Sequence, residues 1–477
     1  MTQFSRRSFL TASAATFAGA SGMFGSLTGG RAWAADTTGY KAIVCVFLKG
    51  GWDHGDTVLP VDTASHNALG NIRPGIFGAY GVGSGTSSRD IANLAKLNAD
   101  NAGAFGGREF GLPPQYAGLA DMFDGGDLAV IGNVGPLLEP TTRDEFEAAT
   151  VELPPRLFSH NDQQSTWMSL DVEGSRYGWG GRFADATSAN LSPGARSYSA
   201  IATGGNDVFL SGNTVQQFSL PGSGGGELDV IDNRGVIGGN SRFDPMREAI
   251  REYYLRNQVT SSSLFARDIV DAQSQGLVSA QNYRTALEQS IPINTAFPPT
   301  RLGGQLAEVA EAMTVSGSLG VPRQVFYVTG GGFDTHSNQV ADMPALQSEI
   351  NDALMAFRSA MLERGLWNDV VVFTASDFGR TTIDNGDGTD HGWGSHHFVM
   401  GGEVAGRRIY GDIPAPDLDL PSYTERRGRM IPSTSVEQYA ATMGRWFGLS
   451  ESELGSALPN LERFPSTDLG FMGSPSG

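Results

Sequence analysis

Two apolar, β-branched runs, residues 324–329 and 369–374, each stop abruptly at a cluster of carboxylate and imidazole side chains. A run of that length and composition suits a strand buried on both faces of a parallel sheet, and such a sheet needs helices covering both faces. The first run passes through Gly330, Gly331 and Gly332 and delivers Asp334 and His336. The second delivers Asp377 and is followed, after a Gly/Asn/Asp-rich loop, by Asp390, His391, His396 and His397. Four of the seven histidines fall between residues 323 and 402. The chemistry is therefore expected at the carboxyl ends of these strands, where open α/β sheets bind their ligands.

The remaining pattern extends this sheet. Residues 41–48 form a third continuous apolar run, ending in Lys49-Gly50-Gly51-Trp52-Asp53, which sets Asp53 at another strand end. Residues 114–123 have helical spacing and 128–134 read as a strand, so these segments are expected to form one βαβ unit. Residues 62–112 read as loop with a short helix at 91–97. Helical patterns cover 244–256, 262–290 and 303–314, then 343–363 with Leu346, Ile350, Leu354, Phe357 and Met361 along one face, and 435–447. The glycine-rich stretch 195–242 is expected to form a small antiparallel or irregular cap, and 466–477 a tail. With no repeat and no internal linker, 36–465 is expected to be a single three-layer α/β domain, its central sheet mostly parallel.

Residues 1–35 read as an address. Arg6-Arg7 with Phe9 and Leu10, a weakly apolar run and the small-x-small site Ala32-Trp33-Ala34 look like a twin-arginine export signal, which implies a periplasmic or extracellular protein. That route carries folded proteins, so a metal site assembled before export fits. The chain has 33 basic and 51 acidic residues, net −18, and loses Arg6, Arg7 and Arg31 with the leader. Such a surface repels nucleic acid and anionic membranes. The lone Cys45 excludes an internal disulfide, and beyond the leader no segment has the length of a membrane span.

Asp53, Asp334, His336, Asp377, Asp390, His391 and His396 are the candidate metal ligands. Mixed carboxylate and imidazole donors at several strand ends suit one or two divalent ions, zinc or manganese, and the histidines argue against a pure calcium or magnesium site. Ser159, set where a helix begins, is the candidate nucleophile, because the helix dipole and unpaired amides there favour an alkoxide and an incoming anion. A helix cap is the competing reading of Ser159, and Thr142 is a poorer nucleophile. His160 is a candidate ligand or general base. Arg380 is placed to pair with a tetrahedral anion or to form a salt bridge. Trp52, Phe333 and Trp393 stand beside the ligands as possible pocket walls.

The ordered motifs FLKGGWD, LFSHNDQQ, GGFDTHSNQ, VVVFTASDFGRT and GTDHGWGSHHFVMGG resemble the exported bacterial family known as domain of unknown function 1501. That family is similar in fold to the alkaline phosphatase and sulfatase superfamily. The resemblance implies a pair of metals at the strand ends, with Asp53 as the first ligand, Asp334 and His336 as the middle pair, and His391 or His396 as the last. Phe378 stands where the superfamily has a histidine after Asp377, so a ligand is lost or Asp390-His391 supplies it. No C/S-x-P-x-R motif surrounds Cys45 or Ser159, which argues against formylglycine chemistry. The resemblance implies a metal-dependent hydrolase of phosphate or sulfate esters acting on a small molecule or a polymer. Phe378 and the lack of a clear nucleophile favour the alternative, a non-catalytic metal-containing envelope protein with an exported partner. No dinucleotide motif supports a redox role.

Overall fold

The computed structural model describes residues 35–221, 244–256 and 263–473, all within one compact unit. The export signal expected at 1–35 lies almost wholly outside these residues. Eleven strands and seven helices position the site. The strands are β1 (Lys41–Leu48), β2 (Leu128–Gly135), β3 (Ala200–Ala202), β4 (Phe218–Ser219), β5 (Arg323–Gly330), β6 (Val370–Ser376), β7 (Arg380–Asp384), β8 (Thr389–His391), β9 (Ser395–Met400), β10 (Ile409–Gly411) and β11 (Thr434–Ser435). The helices are α1 (Ala117–Asp124), α2 (His160–Ser169), α3 (Trp179–Ser188), α4 (Leu264–Glu288), α5 (Arg301–Thr314), α6 (Gln339–Glu363) and α7 (Val436–Phe447).

The central sheet runs β10-β2-β9-β6-β1-β5-β3-β4, with β11 also paired to β2. β1 sits in its middle, parallel to β5 on one side and β6 on the other. Side chains alternate across a strand, so β1 feeds two cores. Ala42, Val44, Val46 and Leu48 pack with α1, α5 and α6, while Ile43, Cys45 and Phe47 pack with α3 and α7. All seven are buried. Fully burying a Val, Leu or Phe contributes roughly 1.5–3 kcal/mol. Phe47→Ala, leaving a cavity as well, would cost about 3–5 kcal/mol. The three-layer α/β fold expected from the sequence is the one observed.

Several details differ from expectation. β2 is not the neighbour of β1: β9 and β6 intervene, and β9 is antiparallel to both β2 and β6. The unit is thus not a simple βαβ. In the stretch read as a cap, β3 and β4 add to the edge of the main sheet in parallel register, because Ala200–Ala202 is fully buried against β5. Residues 222–242 of that stretch lie outside the described residues. The expected tail also packs, with Phe471 fully buried and Met472 bridged to Val404. The helix expected at 91–97 is a single 3-10 turn followed by two strand residues. Among the described residues, no helix is long and apolar enough to cross a membrane.

Candidate metal centre

The carboxyl ends of β1, β5 and β6 open on one side of the sheet, and the loop after β5 supplies the first two polar groups. Its side chains alternate: Phe333 and Thr335 are buried, Asp334 and His336 are exposed. Two tight turns fix this, with Thr335 N–H donating to Phe333 O (2.9 Å) and His336 N–H to Asp334 O (3.0 Å). Gly50, at φ +120°, lets β1 end flush against the loop, since a Cβ there would lie 2.3 Å from the Asp334 nitrogen.

β7 and β8 form an antiparallel hairpin that pairs Arg380 with His391. The hairpin docks on the Asp334 loop through Thr389 N–H donating to Thr335 O (3.0 Å), which brings Asp390 and His391 beside Asp334 and His336. The third contribution comes from α2. His160 and Gln164 stand one turn apart on a single helix face, and both reach Asp377 Oδ2, at 2.6 and 2.9 Å.

Three imidazoles therefore converge on Asp334. His160 Nε2 is 3.4 Å from one carboxylate oxygen, while His336 Nε2 and His391 Nε2 are 3.2 and 3.3 Å from the other. Each ring's Nδ1 faces an atom that only accepts: Asp377 Oδ2 for His160, Asp390 Oδ1 at 3.2 Å for His336, and Phe158 O at 2.8 Å for His391. Nδ1 therefore carries the hydrogen in the neutral rings, and all three Nε2 lone pairs point inward. A tetrahedral zinc site, with bonds of about 2.0–2.2 Å, separates neighbouring donor atoms by about 3.3 Å. His160, Asp334 and His391 can each place one donor atom within 4.8 Å of the others, and His336 Nε2 lies 3.2 Å from Asp334, so the cluster is compact enough for one ion. The oriented outer nitrogens are the arrangement that ligating histidines usually have. The residues present fit a divalent cation.

The electrostatics agree. The hydrogen bond to Asp377 raises the pKa of His160 against the opposing effect of burial. Burial, helped by the charge of Arg380, lowers His336, and burial also lowers His391. Both rings thus favour the neutral form that a metal needs. Burial disfavours ionised Asp334, but the hydrogen bond and charge of Arg380 outweigh it and hold the carboxyl below its usual range. Asp377 is fully buried, and its Oδ1 has no hydrogen-bond partner among the described residues.

Other residues of the expected set lie elsewhere. Asp53 is sealed in a bidentate ion pair with Arg73 (2.7 and 2.8 Å) and also accepts from Gln339 Nε2 (2.6 Å) and Gly55 N–H (3.0 Å). All its lone pairs are occupied, so it braces the site from behind. His396 is buried beside His54, its Nδ1 accepting from Asn133 N–H (3.0 Å). One strand residue past the turn is enough to aim it into the core instead of the cluster. Asp377 and Asp390 stand behind His160 and His336, and Asp390 also pairs with Arg427. Ser159 does precede α2, but its hydroxyl donates to Asp162 Oδ2 (2.7 Å). Thr142 caps another helix in a capping box with Glu145. Arg380 is fully buried and grips Asp334 (2.9 Å), Gly50 O (2.9 Å) and Thr389. It is a brace for the carboxylate. Trp52, Phe333 and Trp393 belong to the cores, and Phe378 forms the wall, packed on the His160 and His391 rings at 4.9 and 4.5 Å. Arg73, Gln339, Gln164 and the Phe158 carbonyl have no spacing signal that would single them out.

Residues 40–428 match the family model described as protein of unknown function (DUF1501). No curated protein matches the sequence. Among solved structures, the chain is similar to the PsFucS1 sulfatase from Pseudoalteromonas sp., with 9% identity over 91% of this chain and 70% of that one and a TM-score of 0.34. It is also similar to the lipoteichoic acid synthase LtaP from Listeria monocytogenes, with 7% identity over 90% and 77% of the two chains and a TM-score of 0.32.

Proposed function

We propose that this chain, which belongs to the family of proteins of unknown function DUF1501, is an exported hydrolase of phosphate or sulfate esters that works with a divalent cation. The observation that carries the reading is the convergence of three Nε2 atoms on Asp334, each ring held by an acceptor at its other nitrogen. His160, Asp334, His336 and His391 would hold the ion, with Asp377, Asp390 and Phe158 O fixing the rings. When bound, the cation would supply a Lewis acid for an ester oxygen and lower the pKa of water. Asp334 and His336 are nearly half exposed, at 46% and 43%, so the cluster faces solvent as a catalytic site does and a closed structural site does not. Zinc or manganese suits this donor set.

The twin-arginine address and a periplasmic or extracellular location are part of the same proposal. Ser159 is a weak nucleophile here because its hydroxyl already serves Asp162, so water is the better candidate. That same engagement favours a second reading, a metal-containing envelope protein without turnover. Elemental mass spectrometry on protein purified after export tests both, with Asp334→Ala alongside. The expected result is about one equivalent of zinc or manganese in the wild type and its loss in the variant. Hydrolysis of aryl phosphates or sulfates by the loaded wild type then selects the enzyme, and metal without hydrolysis selects the second reading. Absence of metal even after supplementation overturns both.

A further inference from the structure

We infer that Arg429, with Arg427 beside it, holds the anionic group of the ester, an inference that rests on the hydrolase reading above. An arginine near the cluster is needed for this because Arg380 is spent. Its Nη1 donates to Gly50 O and Asp334, its Nε to Thr389 Oγ1 and its Nη2 to Thr389 O, and its side chain is fully buried. Turning it toward a substrate would release Asp334.

Arg429 has the opposite character. Its Nε donates to His391 O at 2.7 Å, and its guanidinium carbon lies 3.9 Å from the centre of the Phe158 ring. The ring and the carbonyl fix the plane of the fork, while among the described residues nothing takes either Nη group. A planar fork with both Nη groups free is the geometry that binds phosphate or sulfate bidentately. It is anchored to the residue that carries one of the converging imidazoles, so the anion it holds sits next to the cluster.

Arg427 adds a second charge. Its side chain is 59% exposed and pairs with Asp390 at the edge of the same cluster. Phe158 itself is at φ +73°, an uncommon and strained conformation for a bulky residue. That backbone turns its carbonyl to His391 while its ring lies under Arg429. Within the cluster, Asp334 is matched by Arg380 and Asp390 by Arg427. In a chain of net charge −18, the free edge of Arg429 is a local reversal of sign.

The test is isothermal titration of inorganic phosphate and inorganic sulfate into the zinc-loaded mature chain, with zinc content measured on every sample. Arg429→Gln should weaken anion binding about tenfold or more at unchanged zinc content. Arg156→Gln, an exposed arginine on the neighbouring loop, should change it less than about twofold. Unchanged anion binding by zinc-replete Arg429→Gln overturns the assignment and leaves the hydrolase reading standing. Loss of zinc from that variant also overturns it, since Arg429 would then act through the His391 backbone. If the zinc-loaded wild type binds neither anion, the ester hydrolase reading falls and the assignment with it.

Discussion

The Nε2 atoms of His336 and His391 lie 2.8 Å apart, although neither ring has a hydrogen to place between them. Each has committed its hydrogen to the far side, to Asp390 and to the Phe158 carbonyl. Two lone pairs at that separation repel, and a cation or an added proton converts the repulsion into binding. Divalent zinc should therefore raise the melting temperature and a chelator lower it. A ligand at a hundred times its Kd stabilises by about 2.7 kcal/mol. Differential scanning calorimetry with and without zinc checks this. An identical melting temperature in zinc and in chelator, for the wild type at neutral pH, would count against a metal at this place.

Asp377 acts through His160. Its Oδ2 accepts from both His160 and Gln164, and that hydrogen bond is the main cause of the raised His160 pKa. Asp377→Asn should lower the pKa of His160 in metal-free protein, readable as a shifted imidazole titration by NMR. It should also weaken metal binding about 10- to 100-fold, the usual effect of removing a partner that orients a ligand. A His160 titration that does not move would show that the contact does not set its charge state.

The junction of β1 with the Asp334 loop is a second point of leverage. At Gly50, φ is +120° and a Cβ would sit 2.3 Å from the Asp334 nitrogen and 2.7 Å from the Phe333 carbonyl carbon. Both obstacles are backbone, so they cannot swing away as a side chain would. Gly50→Ala should cost at least about 2 kcal/mol in urea denaturation and weaken metal binding with it. A change within about 0.5 kcal/mol would mean that the loop repositions freely.

How much of this was legible in the sequence follows from what each residue depends on. The buried strands were legible because a parallel strand covered on both faces needs an uninterrupted apolar run, and residues 41–48 carry one. That Asp334, His336 and His391 come together was legible because glycines and a polar hairpin loop follow such runs directly. Asp53 misled because a carboxylate after a strand looks the same whether a metal or an arginine neutralises it. Its partner Arg73 lies twenty residues away with no periodic relation to it. His396 misled because a one-residue step along β9 reverses a side chain's face, and the bulge between Ser395 and His397 decides that step. The Phe158 carbonyl was illegible in principle, since any residue supplies one.

Glu437 carries a pH dependence of its own, on an element that supplies none of the converging side chains. It lies in the first turn of α7, is almost wholly buried, and accepts from Asn460 N–H (2.8 Å) and Asn460 Nδ2 (2.9 Å). Burial outweighs these bonds and raises its pKa to about 7. A carboxyl whose folded pKa is raised binds more protons in the native than in the unfolded state between those two values. Its contribution is therefore fully present below about pH 4.5 and is lost as pH rises through about 7. The whole span is worth about 3 kcal/mol. Glu437→Gln cannot ionise, so its stability relative to the wild type should climb by roughly that amount between pH 4 and pH 8, whatever constant offset the amide introduces at Asn460. Urea denaturation of both proteins across that range measures the climb. A flat difference would place the Glu437 titration at its ordinary value and show that solvent reaches the helix end.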